Sequence, residues 1–338
     1  MSDPRSPLTE RLAGALAARG NALDLDPRHV AAVRLFAGFY EGVPELVVDA
    51  YASTLVVHNY ADPPEQGDEV VLEAIAFYQD ALPWLVAAVV KPRRATDPAV
   101  RSGAVVAGGP PAREVREDGV RYSVDLLAWR DAGFYLDTRV LRAWLRERMV
   151  GRTMLNAFAY TGALGIAALA GGAKRVVQLD TSRAVLNVAK TSCTLNGFAI
   201  VKADFVAEDF WVATGRMRRA GALFDCVVLD PPFFATAATG TIDLAHALSS
   251  LINKVRPLVA DGGHLVVVNN ALFVSGRAFL DELSTHCADG YLAIEALLPV
   301  PEDVTGTVET RVGAPPVDPA PFIHPTKIAV LEVRRRDG

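Results

Sequence analysis

From Arg152 onward, short apolar β-branched runs alternate with amphipathic helical stretches, and this alternation restricts the possible folds more than any other feature. Strands are predicted at 152–157, 175–180, 201–206, 224–230, 264–269, 291–298 and 327–334, with helices at 163–170, 182–195, 210–219, 241–257 and 276–288. Strands separated by helices need crossover connections, so we expect an α/β fold with a mostly parallel seven-stranded sheet and helices on both faces. Ligands of such sheets bind at the carboxyl ends of the strands.

A different order of elements precedes this region. The sequence predicts a helix at 8–19, a hairpin at 42–60, a second helix at 68–82 and a strand at 85–91. A Gly/Pro-rich break at 103–111 and a second hairpin at 114–127 follow. The strand–strand–helix–strand–strand order is that of a small α+β domain. We therefore expect a helical segment at 1–37, the small α+β domain at 38–130 and the α/β domain at 131–338.

Composition excludes several classes of protein. The chain has 338 residues, 51% of them hydrophobic and 22% charged, which is typical of globular proteins. Its longest apolar stretch, 82–90, is about half of what a membrane span requires, and no apolar core follows the N-terminus. Three widely spaced cysteines and six scattered histidines form no metal-ligand pattern. We expect a soluble cytoplasmic protein without a metal site or membrane association.

The charge distribution does not predict a strongly basic nucleic-acid-binding body. Residues 1–130 carry 13 Lys/Arg and 18 Asp/Glu, and residues 131–338 carry 21 of each. Neither half is strongly basic, so any RNA contact must use local arginine clusters. Only six of the 34 basic residues are lysine, so the positive charge is carried mostly by guanidinium groups. A GC-rich genome explains the same arginine bias equally well. Arg139, Arg142 and Arg146 share one face of a predicted helix, which is either a phosphate-binding stripe or a solvated face.

Three candidate ligand-binding features follow predicted strands. Asn156–Gly162 ends the first strand and leads directly into a helix, and Asp180 ends the second strand, where an acid can accept both hydroxyls of a ribose. Asp230-Pro-Pro-Phe-Phe234 ends the fourth strand. Each feature has a structural alternative: a tight turn, a helix cap or a strand terminator. Their joint occurrence at successive strand ends favours a ligand site, and no dinucleotide or P-loop motif is present.

These residues carry a resemblance to the class I S-adenosylmethionine-dependent methyltransferases. More narrowly, the chain resembles the bacterial methyltransferases that form 5-methylcytosine or 7-methylguanine in 23S ribosomal RNA. The most specific matches are Gly133-Phe-Tyr-Leu-Asp-Thr-Arg139 and Leu155-Asn-Ala-Phe-Ala-Tyr-Thr-Gly162, and the resemblance extends over about residues 35–300. It implies S-adenosylmethionine as cofactor, S-adenosylhomocysteine as product and ribosomal RNA as partner.

The resemblance also implies a set of site residues. The methionine part of the cofactor would lie against Asn156, Ala157, Phe158, Tyr160, Thr161 and Gly162. The ribose would bind at Asp180, Thr181 and Ser182, and the adenine at Asp209 and Phe210. The pocket would be closed by Tyr135, Asp137 and Arg139. The methyl group and acceptor base would face Asp230, Pro231, Pro232 and Phe233, of which Asp230 would also contact the cofactor.

Some departures from the family pattern leave the acceptor atom open. Residues 1–35 are too short for the PUA-type domain of some relatives, and 269–271 is Asn-Asn-Ala where the family often has a Ser-Cys-Ser-like segment. Methylation at carbon 5 needs a cysteine nucleophile, but Cys193, Cys226 and Cys287 are predicted to be core residues. Phe233 resembles the ring that stacks on the base in enzymes that methylate base amines, and Phe234 keeps the family's usual aromatic position.

The predicted function is methylation of a ribosomal RNA base by in-line methyl transfer. Two alternatives remain at this point. The acidic net charge of −5 favours a methyltransferase acting on a small molecule or a protein, and a module that binds cofactor or RNA without catalysis is the third reading. The sequence leaves the oligomeric state undetermined, a homodimer included.

Overall fold

A computed structural model describes residues 7–237, 240–314, 318 and 321–335, and for 234–246 it describes the backbone only. The chain divides into two compact units. Unit 1 consists of residues 1–136 and 301–314, and unit 2 of residues 137–300 and 315–338. Unit 1 therefore consists of two stretches of the chain, and most of unit 2 lies between them in the sequence.

Between residues 7 and 136, the part of unit 1 that the structure describes there, the chain forms a five-stranded sheet, a separate two-stranded sheet and four short or medium α-helices. These elements are α1 (Pro7–Ala18), α2 (Gly20–Asp24), β1 (Ala32–Ala37), β2 (Leu46–Tyr51), β3 (Thr54–Asn59), α3 (Asp68–Ala81), β4 (Ala87–Pro92), α4 (Pro98–Arg101), β5 (Ala104–Gly108), β6 (Glu114–Glu117) and β7 (Val120–Ser123). The five-stranded sheet has the order β1-β2-β3-β4-β5, in which only β3 and β4 are parallel.

The core of unit 1 explains which elements the sequence predicts well. Leu12 and Ala15 of α1 pack with Val71, Ile75 and Tyr78 of α3 against the sheet, so both helices show apolar periodicity. The first hairpin and β4 also agree with prediction.

Three features of unit 1 differ from the predictions. β1 lies in the segment expected to be helical, and β5 lies inside the predicted Gly/Pro-rich break. The second predicted hairpin forms its own sheet, β6–β7, so the last strand of the main sheet is β5. The side chains of β5 are mostly exposed, and an exposed edge strand lacks the alternation that identifies a half-buried strand.

Unit 2 contains a seven-stranded sheet and the helices that connect its strands. Its elements are α5 (Arg139–Arg148), β8 (Thr153–Ala157), α6 (Ala163–Ala170), β9 (Arg175–Asp180), α7 (Arg183–Leu195), β10 (Phe205–Ala207), α8 (Phe210–Arg219), β11 (Phe224–Leu229), β12 (Phe234–Ala237), β13 (Gly240–Asp243), α9 (Leu244–Val255), β14 (Val259–Asn269), α10 (Gly276–Cys287), β15 (Leu292–Leu298) and β16 (Lys327–Val333). α11 (Glu302–Thr305), between β15 and β16, belongs to unit 1.

The predicted seven-stranded, mostly parallel sheet is confirmed. The strand order is β10-β9-β8-β11-β14-β16-β15, and β16 is antiparallel to both of its neighbours. All seven predicted strands and all five predicted helices are present. β10 begins later than predicted because residues 202–204 form a 3-10 turn, and the hairpin β12–β13 is not predicted.

The parallel strands place several loops at one edge of the sheet. β8, β9, β11 and β14 are buried on both faces, so their polar residues gather where the strands end. The carboxyl ends of these four strands are followed by residues 158, 181, 230 and 270. None of the helices in the described part of the chain is long and apolar enough to cross a membrane.

Candidate active site

The loop after β8 has an unusual backbone. Phe158, Tyr160 and Gly162 have φ angles of 61°, 50° and 79°, in the left-handed region that is unfavourable for side chains with a Cβ atom. Two hydrogen bonds from backbone N–H groups fix this path. Ala159 N–H donates to the Leu179 carbonyl at 2.8 Å, and Tyr160 N–H donates to the Asp180 side chain at Oδ2, at 2.9 Å. Positive φ angles at every second residue, 158, 160 and 162, coil the loop tightly before α6 begins.

Glycine is required at the end of this loop. A Cβ atom on Gly162 would lie 2.5 Å from the Cβ of Ala189 in α7, and one on Gly165 would lie 2.1 Å from Gln178 Nε2. Both distances are far below van der Waals contact. The two glycines therefore let the loop and the first turn of α6 approach α7 and β9 closely.

Gln178 supports the loop from inside, and the sequence motifs do not identify it. Asn156 Nδ2 donates to Gln178 Oε1 at 2.8 Å, and Gln178 Nε2 donates to the Gly162 carbonyl at 3.2 Å. Asn156 is 1% exposed, and its Oδ1 has no hydrogen-bond partner among the described residues. A polar glutamine in the apolar strand Val-Val-Gln-Leu-Asp is the signal that could have identified this residue.

Asp180 connects two loops through its carboxylate. Oδ2 accepts from Tyr160 N–H, and Oδ1 accepts from Ser182 N–H, each at 2.9 Å. Ser182 caps α7 through its side chain, which accepts from Val185 N–H, and Thr181 is exposed. The helix cap is therefore Ser182. Each oxygen of Asp180 retains acceptor capacity for a further donor such as a hydroxyl.

Asp209 and Phe210 begin α8. Asp209 Oδ1 accepts from the N–H groups of Trp211 and Val212 at 2.9 and 3.2 Å, so this carboxylate is an N-cap. Phe210 is 3% exposed and stacks on Phe158, with 4.7 Å between the ring centroids and 24° between the ring planes. The stack joins the β8 loop to α8 and places most of the Phe210 ring in the core.

Asp230 follows β11 and lies close to a second carboxylate. Its surroundings raise the pKa of Asp230 to about 7, first because the group is withdrawn from water and then because Asp137 is nearby. Asp137 accepts a hydrogen bond from the hydroxyl of Thr326. Asp137 thus lies near enough to Asp230 for its charge to act on that carboxyl group, and Thr326 contacts Asp137 from a position too far along the chain to be found from a local motif.

The residues after Asp230 differ in exposure. Pro231 is buried, Pro232 is exposed, and the Phe233 ring is 42% exposed, so it is available to a ligand. The Phe234 side chain lies outside the described residues.

Arg139 is half-buried at the start of α5 in unit 2. Tyr135 belongs to unit 1, where it is exposed and donates to Asp131 Oδ2 at 2.8 Å.

The loop after β14 contacts the Asp-Pro-Pro segment. Asn270 Nδ2 lies 3.5 Å from the Pro231 carbonyl oxygen, and Asn270 Oδ1 is buried without a hydrogen-bond partner among the described residues. Asn269 Oδ1 accepts from Ala271 N–H at 2.9 Å. The departure from the family pattern at 269–271 therefore places an amide side chain beside the predicted catalytic segment.

Lys327 is a second residue that the sequence does not predict. It is fully buried, and its ammonium group donates to the carbonyls of Ala271, at 3.1 Å, and Pro325. Burial lowers the pKa of Lys327 to about 8. The lysine joins the loop after β14 to the segment that leads into β16.

The donor set of this edge fits a cationic ligand that carries hydroxyl groups. Asp180 ends β9, Asp230 follows β11 and Asp209 precedes α8, and the charge of a fourth carboxylate, Asp137, acts on Asp230. Carboxylates and aromatic faces favour a sulfonium cation. The unpartnered Oδ1 atoms of Asn156 and Asn270 are further acceptors. No group of three or more His, Cys, Asp or Glu among the described residues has the arrangement of a metal site.

Two relatives share about a third of the aligned residues with this chain. Ribosomal RNA large subunit methyltransferase I of Aeromonas salmonicida is 32% identical over 235 residues, which cover 69% of this chain and 59% of the relative. The protein of the same name from Serratia proteamaculans is 33% identical over 228 residues, 65% of this chain and 58% of the relative. This chain spans about three fifths of the length of these relatives.

Solved methyltransferase structures share the fold. SMU.776, named as a methyltransferase and crystallised with S-adenosylhomocysteine, has a TM-score of 0.83 at 20% identity, over 96% of this chain and 81% of that one. A methyltransferase from Streptococcus mutans has a TM-score of 0.80 at 18% identity, over 98% and 83%. The sequence model described as S-adenosylmethionine-dependent methyltransferase matches residues 44–311. This chain belongs to the S-adenosylmethionine-dependent methyltransferase family.

Proposed function

We propose that this protein methylates a base of large-subunit ribosomal RNA. The observation that carries the proposal is the match to Ribosomal RNA large subunit methyltransferase I, 32% identical over 235 residues, which cover 69% of this chain. That edge holds Asp180, Asp209 and Asp230, the acids that the family pattern requires. The proposed place of action is the cytoplasm, where ribosomes are assembled.

The cofactor half of the site consists of the loop after β8 and the two acids that follow it. Residues 156–162 would hold the methionine part, because their coiled backbone and close packing on α7 leave the loop rigid. Asp180 would accept the ribose hydroxyls with the lone pairs that its two backbone hydrogen bonds leave available. Asp209 and Phe158 would border the adenine, with Phe210 supporting Phe158 from the core.

The acceptor half consists of Asp230–Phe233 and Asn270. Bound S-adenosylmethionine supplies a methyl group on a sulfonium, ready for in-line displacement. Phe233 would stack on the target base, and the Pro231 carbonyl with Asn270 would hydrogen-bond its edge. Asp230, whose pKa lies near neutrality, would take up the proton that an acceptor nitrogen loses. Positioning and charge complementarity supply most of the rate in such a displacement.

The cysteines favour a base nitrogen over carbon 5 as the acceptor. Attack on carbon 6 of a pyrimidine needs a thiolate, but burial raises the pKa of Cys226 to about 12 and that of Cys193 to about 11. Cys226 lies within β11, three residues before its end. Cys287 ends α10 ahead of β15, at the edge of the sheet opposite to the carboxyl ends of the parallel strands.

The test is mass spectrometry of nucleosides from 23S rRNA of a strain that lacks this gene. We expect one N-methylated nucleoside to be absent, and to be restored by the wild-type gene but not by Asp230→Ala. Purified wild-type protein should also methylate the rRNA of the deletion strain. An unchanged set of methylated nucleosides, together with no transfer in vitro, would contradict the proposal. A restored 5-methylcytosine would contradict the choice of nitrogen.

A further inference from the structure

Four arginines gather at one end of the five-stranded sheet of unit 1. β3 and β4 pair in parallel with Asn59 opposite Pro92, and β4 and β5 pair antiparallel with Val90 opposite Ala104. The residues just beyond these strands therefore lie side by side. They are Tyr60 after β3, Arg93 and Arg94 after β4, and Arg101 before β5.

The buried Lys91 holds the segment that carries the fourth arginine, Arg130, at the same end of the sheet. Lys91 is fully buried, and its ammonium group donates to the Ser102 carbonyl at 2.7 Å and the Trp129 carbonyl at 2.8 Å. The segment before Arg130 is thereby attached to the segment after Arg101. Arg93 Nη1 also donates to the Arg130 carbonyl. We call Arg93, Arg94, Arg101 and Arg130 the arginine edge.

The charges of the arginine edge are not neutralised by neighbouring acids. None of the four guanidinium groups has an ion pair among the described residues, and Arg93 Nε is buried without a hydrogen-bond partner there. The pKa of Arg130 is lowered by burial and then by the charges of Arg93, Arg101 and Arg94. An arginine next to several others, without a paired carboxylate, has capacity for an external anion.

Two acids close to these arginines along the chain have other partners. Asp97 Oδ1 accepts from Ala99 N–H at 2.8 Å. Asp131 accepts from Gly133 N–H and the Tyr135 hydroxyl, each at 2.8 Å. The β6–β7 hairpin of the same unit shows the contrast, because its arginines form ion pairs of 2.6–2.9 Å: Arg113 with Asp125, and Arg116 and Arg121 with Glu114.

We propose that the arginine edge binds the phosphate backbone of the RNA substrate; this inference rests on the proposed function. Guanidinium groups recognise phosphate oxygens through paired N–H donors. The Tyr60 ring, which lies 5.6 Å from the Arg93 guanidinium, adds an aromatic face to the cluster. Residues 1–130 carry 13 Lys/Arg against 18 Asp/Glu, so the arginine edge is a local cationic site, able to attract a polyanion, within an acidic region.

The test uses fluorescence anisotropy with end-labelled 23S rRNA transcribed in vitro. The variant Arg94→Ala/Arg101→Ala/Arg130→Ala leaves Arg93 in its contact with Tyr60. At 150 mM salt we expect it to bind about tenfold or more weakly than wild type, and its slope of log affinity against log salt to be about 2 smaller, because about 0.7–0.9 of slope is lost with each phosphate contact. Its S-adenosylmethionine affinity, measured by calorimetry, should equal that of wild type.

The matched control is Arg113→Ala/Arg116→Ala/Arg121→Ala, which removes the same charge from ion-paired arginines of the same unit. It should keep at least half of the wild-type RNA affinity. Equal affinities and salt slopes for the arginine-edge variant and wild type would overturn the inference, as would an equal loss in both triple variants. Wild-type protein that binds the transcript through this edge but methylates no base would contradict the proposed function alone.

Discussion

Asp230 illustrates how one residue can carry both a functional and a stability effect. Its native pKa of about 7 lies above the ordinary value of 3.8, so the folded protein holds a proton that the unfolded chain releases. Stability is therefore lost as the pH rises from about 4 to 7, and the loss is complete above 7. Asp230→Asn should remove this loss, and under the proposed function it should also abolish methyl transfer.

We expect Asp230→Asn to unfold at higher denaturant concentration than wild type, with a difference that grows between pH 5 and pH 8 to about 1–3 kcal/mol. Urea unfolding at both pH values measures it. Asp80→Asn, which changes an exposed carboxylate of α3, should show no such growth. A difference that stays the same from pH 5 to pH 8 would mean that Asp230 is already charged in the folded protein at pH 5.

The ionisation of Lys327 changes the stability of the fold with pH in the opposite direction to that of Asp230. Burial lowers its native pKa from 10.5 to about 8, so the folded protein holds fewer protons than the unfolded chain between these values. The wild-type protein should therefore gain about 1–2 kcal/mol relative to Lys327→Met when the pH rises from 7.5 to 9.5. Denaturant unfolding measures the gain, with Lys174→Met, at an exposed lysine, as the control. Equal behaviour of the two variants would show that Lys327 titrates as an exposed lysine does.

At the scale of elements, the loop after β8 depends on its contact with α7. Gly162→Ala combines a φ of 79° with a Cβ placed 2.5 Å from that of Ala189, whereas Gly197→Ala has a φ of 69° and no neighbour within 4 Å. We expect Gly197→Ala to cost about 1 kcal/mol of unfolding free energy and Gly162→Ala about 2–4 kcal/mol. Only Gly162→Ala should weaken S-adenosylmethionine binding, by tenfold or more in calorimetry. Similar losses of unfolding free energy in both variants would mean that the positive φ angle, and not the contact with Ala189, accounts for the effect.

The elements that the sequence predicts well are those whose own residues carry the signal. β9 and α8 have the predicted bounds, 175–180 and 210–219, because an apolar run and a helical stripe need no distant partner to be seen. The place of β5 and of the β6–β7 hairpin depends on which strand each pairs with, and pairing is decided by the rest of the fold. For the same reason the acids at strand ends are predictable, whereas Gln178, Thr326 and Lys327 act through partners far along the chain.

At the scale of the whole molecule, unit 1 is stabilised partly by residues 301–314, which follow most of unit 2 in the sequence. The Arg19 guanidinium donates to both oxygens of Glu41, at 2.8 and 3.0 Å, and to the Asp303 carbonyl at 2.8 Å. The Asp303 carboxylate in turn accepts from Arg34 N–H at 3.1 Å. The Arg19 and Glu41 side chains are 1% and 2% exposed, so neither charge has water to replace its partner.

Arg19→Met should therefore destabilise unit 1 by about 3–5 kcal/mol, because it leaves the buried Glu41 carboxylate without its cation. Units 1 and 2 have separate apolar cores, so we expect amide protection to fall in 7–136 and 301–314 while unit 2 keeps its protection and its S-adenosylmethionine affinity. Hydrogen exchange read by mass spectrometry resolves the two regions. Adding Glu41→Gln should restore part of the lost protection, since it removes the unpaired charge. Equal loss of protection in both units would mean that the chain unfolds as one cooperative body.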